Sequence, residues 1–512
     1  MSAPVVPAAG GRLPTAGERW LAAALVLAGA ALRFVDLGQQ SFWHDEVHSV
    51  IMARGSDTGA LSETAFNTHG PLYLLMLRGW LHLFGAGEGP VRALSAVIGV
   101  LGLVAFHRVV RRYLEPGPAL VALALLAASP FHLGYSQEVR GYGLLFATGL
   151  LAVEACLVDI ERRTSATFAV ALVATMATCL SNLSGFFLVG LVGVFAWTMG
   201  RPLGYRMRRF VAFALLLGVL LEPWVVSGAE GTGKFHVGGA PSPHSDVILA
   251  KGESPPGLAS IPYSLYDFTL GRSLGPSVDD LKQHRMRAVW PQLPIVLPAL
   301  LLALALLVRG EVVARGARRS VLVPWLVIPV LAMALLSSVN LKAANSRYAF
   351  LAFAPFVVLV ASGIVSIRGR FVRVAAFAAL LAVFLVADEQ YFTNPYYWKP
   401  DARAACALLR REVRPGDAVV GYALQFPLRF YLPDSLVMLL PPDSAFASDA
   451  ASARWLAANV RPQQRLWVVR CNGWWVDRTD RFPRICAQRR PSEGAWAFEK
   501  LPVQRFGPEA PR

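Results

Sequence analysis

Residues 42–48 read Phe42-Trp43-His44-Asp45-Glu46-Val47-His48, two adjacent carboxylates and two imidazoles in one short segment. A carboxylate within hydrogen-bond reach can take the proton of a hydroxyl nucleophile as it attacks. On a helix Asp45 and Glu46 point about 100° apart, so one can serve chemistry while the other orients it or holds a metal. His44 and His48 stand i, i+4, close to the His-Glu-x-x-His pattern of zinc proteases. Asp45 stands where that pattern has Glu, and the shorter acid reaches a zinc-bound water poorly. No third ligand is evident, so a structural role for the two histidines outweighs zinc ligation. For the acids the bland reading is the first turn of an interfacial helix, whose dipole favours carboxylates. Beside Trp43 and the histidines, at an apolar boundary where charge is costly, a functional role weighs more.

Two further polar clusters stand out. Ser136-Gln137-Glu138-Val139-Arg140-Gly141-Tyr142 sets an arginine beside an acid. A guanidinium offers a forked donor set suited to phosphate; a simple Arg140–Glu138 pair fixing two helix ends is the plainer alternative. Asn345-Ser346-Arg347-Tyr348, with Lys342 nearby, is the other. These clusters form one site if their helices converge. Gly228-Ala229-Glu230-Gly231-Thr232-Gly233-Lys234-Phe235 nearly spells a P-loop, but Phe235 replaces the Ser or Thr that holds magnesium. It reads as a flexible loop.

The elements that must position these residues are membrane helices. Of 512 residues 55% are hydrophobic and only 16% charged, against about a quarter charged in soluble proteins. Apolar runs reach the roughly 20 residues that cross a bilayer. The net charge of +16 lies in short arginine-rich loops, as positive-inside sorting requires, with no basic stripe carrying stacking aromatics. Nucleic acid is therefore excluded as a partner.

The expected fold class is a polytopic α-helical membrane protein of about eleven transmembrane helices. A small extracytoplasmic α/β domain follows at the C-terminus. Residues 1–19 form a disordered cytoplasmic tail and residues 20–387 the membrane domain. Within it, 36–89 is a first outer loop with juxtamembrane helices and 227–288 a long outer loop; 388–512 is the outer domain. Spans are expected at 20–35, 91–110, 119–135, 142–158, 167–183, 185–199, 210–226, 289–308, 321–339, 350–367 and 374–387. Residues 69–81 are apolar but interrupted by Arg78, and His82 follows them. This stretch is expected to lie along the interface, because a full span there would turn the dense Arg clusters outward. In the tail, 418–422 and 466–470 read as buried strands, with helices at 401–412 and 450–459. Cys156 and Cys179 read as inert packing residues. Among Cys406, Cys471 and Cys486, a Cys471–Cys486 disulfide and three free thiols are equally open.

The order Arg33-Phe34-Val35-Asp36-Leu37, Ser41-Phe42-Trp43-His44-Asp45-Glu46, His69-Gly70-Pro71-Leu72-Tyr73, Arg92-Ala93-Leu94-Ser95-Ala96 and Ser136-Gln137-Glu138-Val139-Arg140-Gly141-Tyr142 resembles the integral-membrane GT-C glycosyltransferases. The nearest branch is the protein-mannosyltransferase and aminoarabinose-transferase-like (RgtA/B/C/D-like) group. Arg347-Tyr348 followed by Pro355 extends the likeness. The resemblance implies a hexosyl- or pentosyltransferase that takes a sugar from a polyprenyl-phosphate carrier on the outer face of a bacterial inner membrane. The acceptor would be a glycan, lipid or protein, with membrane lipids as surroundings. It implies Asp45 as general base, Glu46 positioning the acceptor or a divalent metal in members that use one, and Glu138 as second acid. Arg140 would contact the lipid phosphate. Tyr142, Arg347, Tyr348, His69 and Tyr73 would complete the substrate pocket. His69-Gly70 departs from the Pro-containing pair common in the family, and His44 replaces a more usual aromatic.

Two other classes remain. A transporter or flippase usually shows repeat symmetry and midplane charges; Glu154 and Glu222 lie near predicted span ends, and no repeat is clear. A membrane zinc protease would use His44 and His48.

Overall fold

The computed structural model describes residues 13–55, 70–199, 203–232, 257–284, 286–339, 345–423, 425–471, 473, 476–477 and 479–509. His69, Lys342 and the Gly233–Phe235 end of the P-loop-like stretch lie outside these. The chain divides into two compact units. One holds the residues up to Leu37 and Met52–Asn394; the other joins Gly38–Ile51 to Pro395–Arg512.

The first unit is helical. Helix α1 (Ala16–Phe34) starts on a capping box: the Glu18 N–H donates to Thr15 Oγ at 3.2 Å, and the Glu18 carboxylate accepts the Thr15 N–H at 2.9 Å. Helix α2 (His44–Arg54) belongs to the second unit except for its last turn, and α3 of the first unit is Pro71–Phe84. Then come α4 (Glu88–Val110), α5 (Pro116–Ala127) and α6 (Pro130–Ser136). The α5–α6 pair is the expected 119–135 span, broken by a 57° bend. Pro130 cannot donate to the preceding turn, and Ser129 caps the new helix through the His132 N–H. Next are α7 (Tyr142–Arg162), α8 (Ser165–Ser181), α9 (Phe187–Thr198) and α10 (Leu203–Thr232). After α11 (Ser260–Leu270) follow α12 (Val278–His284), α13 (Leu293–Val313) and α14 (Gly316–Val339). Helices α15 (Phe353–Val365) and α16 (Arg370–Thr393) complete the unit.

Each stretch read as a span is helical. Among the described residues seven helices are long and apolar enough to cross a membrane, eight if the bent pair counts as one. Helix α1 carries Glu18, Arg19 and Arg33, while α8 and α9 are shorter apolar helices. Helix α15 is the buried centre. Gly363 and Gly310 let it meet α13 backbone to backbone; a Cβ on Gly310 would lie 1.8 Å from the Leu359 oxygen. Residues facing outward, such as Leu215 and Val219, are apolar, as lipid contact demands.

The 227–288 stretch is not simply a polar loop. Helix α10 continues to Thr232, and α11 and α12 follow within it. Its Gly, Pro and Ser content hides α11, where Ser260 and Ser264 hydroxyls bond back to the Gly257 and Ser260 carbonyls at 2.7 and 2.9 Å. Phe268 fills the core with Phe131 and Phe353.

In the second unit a five-stranded sheet runs in the order β2-β1-β3-β5-β4. Its strands are β1 (Ala418–Ala423), β2 (Met438–Leu439), β3 (Leu466–Cys471), β4 (Ser492–Phe498) and β5 (Leu501–Phe506). The first three are mutually parallel, and β5 is antiparallel to β3 and β4. Helix α17 (Ala402–Glu412) covers one face, packing Cys406 and Leu409 on Trp467, Val469 and Cys471. Helices α18 (Asp449–Asn459) and α19 (Arg481–Arg489) bring Leu456, Phe482 and Cys486 to Val420 and Val468 on the other face. Cys471 and Cys486 therefore belong to cores on opposite faces and form no disulfide.

Candidate active site

The Asp45-Glu46 segment belongs to the second unit and is held there by a dense non-local network. Ser41 Oγ donates to the Pro400 oxygen at 2.7 Å and accepts the Ala402 N–H at 3.1 Å. The Phe42 N–H donates to the Tyr431 hydroxyl at 2.7 Å, and the Phe42 ring meets Phe430 edge-on. Arg403 donates to the Gly38 and Gln39 carbonyls at 3.1 and 2.7 Å.

Trp43 starts α2: its oxygen accepts the Val47 N–H at 3.0 Å, and its own N–H reaches the Glu46 carboxylate at 3.4 Å. Val47 and Val50 are fully buried and fix the helix's rotation. Glu46 is 0% exposed, and its carboxylate pairs with Lys399 Nζ at 3.1 Å. No motif pointed to Lys399, which lies 353 positions away (399 minus 46). Asp45 stands half-buried in the first turn, where the helix dipole favours its anion. Ser49 Oγ donates to its carbonyl at 3.1 Å. His44 and His48 are half-buried on the same helix. Among the described residues no three His, Cys, Asp or Glu side chains gather as a metal-binding group.

In the first unit the other two clusters do meet. Gln137 Nε2 donates to the Arg33 and Val35 carbonyls at 3.1 and 2.8 Å, tying the turn after α6 to the end of α1. Within the turn the Arg140 N–H donates to the Glu138 oxygen at 2.7 Å; both side chains are buried. Gly141 has no room for a side chain: a Cβ would lie 2.7 Å from the Ser181 oxygen and 3.2 Å from Tyr73 Cβ. Gly70 is tighter, its hypothetical Cβ falling 1.8 Å from the Leu180 oxygen. This accounts for Gly70 in the unusual His69-Gly70 pair. Tyr73 is buried, its hydroxyl 2.7 Å from Ser95 Oγ.

Asn345 caps the 3-10 turn Ser346–Ala352 by accepting the Arg347 N–H at 3.2 Å. The Arg347 guanidinium then lies 5.5 Å from the ring centroids of both Tyr142 and Tyr348. Tyr142 packs edge-on against Tyr135 at 5.1 Å. Arg272, which sequence reasoning missed, donates to the Tyr135 hydroxyl and lies 5.0 Å from its ring. Gly271, at φ +61°, ends α11 and turns the chain into Arg272. The signal was the Gly271-Arg272 pair itself. Two guanidiniums thus share one layer of three tyrosines. Such a layer suits an anion whose charge needs forked donors and whose remainder needs apolar contact.

The helical unit and the small α/β unit have the fold that the motif resemblance implied, the GT-C fold of the solved structures that follow. Residues 68–226 match the family model described as dolichyl-phosphate-mannose-protein mannosyltransferase. No curated protein matches the chain by sequence. ArnT from Cupriavidus metallidurans in the apo state is similar in fold, with TM-score 0.60 and 14% identity over 96% of this chain and 98% of that one. The same protein bound to undecaprenyl phosphate gives 0.57 at 14% identity over the same shares. An oligosaccharyltransferase from Archaeoglobus fulgidus, in complex with Zn and sulfate, gives 0.52 at 13% identity over 94% of this chain and 73% of that one.

Proposed function

We propose that this protein transfers a sugar from a polyprenyl-phosphate carrier to an acceptor hydroxyl at the outer face of a bacterial inner membrane. The observation that carries this reading is the arginine–tyrosine layer in the helical unit, Arg347 over Tyr142 and Tyr348 with Arg272 on Tyr135. Its support is the family match over the segment containing Tyr73, Glu138, Arg140 and Tyr142, and a related fold crystallised with undecaprenyl phosphate.

In this reading Asp45 accepts the proton of the acceptor hydroxyl while the new glycosidic bond forms. The bond between the anomeric carbon and the carrier phosphate breaks, and the electron pair leaves on phosphate. A phosphate monoester is already a stable anion, so no strong general acid is required. Arg140, Arg272 and Arg347 supply fixed positive charge where negative charge grows. A single displacement with one base gives inversion at the anomeric carbon. Glu138 is the second acid of the site. Glu46, its carboxylate taken up by Lys399, positions the helix bearing Asp45 rather than holding a metal.

Asp45→Asn is expected to abolish transfer while leaving the melting temperature within about 4 °C of wild type, as for an isosteric change at a half-buried helix N-terminus worth under about 1 kcal/mol. Undiminished transfer by that variant refutes the assignment of the base.

A further inference from the structure

Arg33 lies in the last turn of α1 and is 0% exposed. Positive-inside sorting explains arginines in loops; it does not explain a guanidinium withdrawn into the helical unit. Burying such a charge is tolerated where its hydrogen bonds are met. All four Nη hydrogens of Arg33 have acceptors. Nη1 donates to the Gly29 carbonyl at 2.7 Å and to the Ala127 carbonyl at 3.0 Å. Nη2 donates to the Leu126 carbonyl at 3.4 Å and to His132 Nδ1 at 2.8 Å. Asp388 on α16, also buried, is the acid whose charge Arg33 feels.

Three of these acceptors straddle the break in the bent span. Leu126 and Ala127 end α5, Pro130 has no N–H to continue its ladder, and His132 lies in the first turn of α6. Arg33 thus splints the break from a third helix. A guanidinium only donates, so His132 Nδ1 accepts, and the imidazole is neutral with its proton on Nε2. Gly99 of α4 leaves room for this packing: a Cβ there would lie 2.7 Å from Ser136 Cβ and 3.3 Å from Arg33 Cδ. Just past α6, Gln137 Nε2 donates to the Leu32, Arg33 and Val35 carbonyls at 3.3, 3.1 and 2.8 Å. The end of α1 therefore grips α6 on both sides. That short helix carries Tyr135 of the tyrosine layer and leads directly into Glu138, Arg140 and Tyr142.

We infer that Arg33 is a positioning residue for the lipid donor. By splinting the break it sets the direction of α6, and with it the places of Tyr135, Arg140 and Tyr142. The inference rests on the glycosyltransferase reading of that layer.

The test is a donor series of initial rates on the full chain in detergent. Arg33→Lys keeps the charge but replaces the fork by a point donor. It is expected to raise the KM for the donor about tenfold while kcat changes less than about threefold, as for a sub-ångström misplacement of binding groups. His132→Leu removes one acceptor and is expected to act in the same direction. His132→Asn, whose side-chain oxygen can accept as Nδ1 does, should recover most of that loss. Should Arg33→Lys fail to fold, the two His132 variants carry the comparison. Independently of activity, nitrogen NMR of protein labelled at histidine should show His132 Nδ1 unprotonated and hydrogen-bonded, the signal being assigned by its loss in His132→Asn. A protonated Nδ1 in wild type overturns the inference. So does wild-type transfer with a donor KM unchanged in both Arg33→Lys and His132→Leu, which leaves the glycosyltransferase reading standing. No transfer by wild type from any donor refutes that reading instead, and the role of Arg33 toward the donor falls with it.

Discussion

Lys399→Met removes the ammonium that faces Glu46 at 3.1 Å while keeping most of the side chain's apolar bulk. Glu46 is 0% exposed and the Lys399 side chain 18% exposed, so the variant removes the cation facing a carboxylate buried away from water. Breaking a buried pair from one side costs about 3–5 kcal/mol, and the partial exposure of Lys399 places this one near about 3 kcal/mol. For a unit of this size that lowers the melting temperature by about 10 °C. Glu46→Gln is milder, because the orphaned ammonium can turn to solvent; it costs about 1 kcal/mol. The double variant should recover about 2 kcal/mol relative to the sum of the singles, since neither charge is then stranded. The assay is thermal unfolding of the purified chain, with limited proteolysis reporting on residues 395–512. A Lys399→Met protein within about 0.5 kcal/mol of wild type refutes the argument. So does a double variant whose loss equals the sum.

Burial alone would raise the Asp417 carboxyl, but the Arg465 fork, the Arg414 N–H and the Trp467 indole N–H hold it below the usual carboxylate range. A depressed folded value means its stabilisation is present above the unfolded pKa and lost as pH falls. Asp417→Asn should therefore destabilise the second unit at pH 7 and cost progressively less below about pH 4, read as the melting-temperature difference from wild type. Burial pushes the Cys406 and Cys486 thiols up to about 12, so native protein at pH 8 should resist alkylation at both. Reducing agent should leave the melting temperature unchanged, because Cys471 and Cys486 are not bridged. Gly141→Ala pushes a methyl onto the Ser181 oxygen and is expected to reduce transfer more than tenfold through displacement of Arg140; activity near wild type would contradict the close packing. Arg272→Ala is expected to raise the KM for the lipid donor more than it lowers kcat, measured by initial rates over a donor series.

The helices were legible because lipid imposes a simple demand: about 20 apolar residues bounded by arginine. That rule located α4, α7 and α16 closely. It is blind to breaks such as Ser129-Pro130, where local capping outweighs hydropathy, and to α11, whose serines satisfy their own helix. In the second unit, runs such as Ala418–Tyr422 and Leu466–Arg470 announced buried strands. The β4–β5 hairpin did not announce itself, because Glu499-Lys500 turns it without the usual Asn-Gly, Lys500 taking φ +51°. At the site, residue types could be read wherever they cluster in sequence, as in Asp45-Glu46 and Arg140-Gly141-Tyr142. Partners distant in the chain could not be read. Lys399 meets Glu46, Arg272 meets Tyr135 and Arg347 meets Tyr142 only once the chain has folded.

The central claim is tested most directly by transfer from a panel of radiolabelled polyprenyl-phosphate sugars to endogenous membrane acceptors, wild type beside Asp45→Asn. The account predicts label moving to an acceptor from one donor, with wild type only. Transfer by both proteins alike, or from no donor by a well-folded wild type, would contradict it.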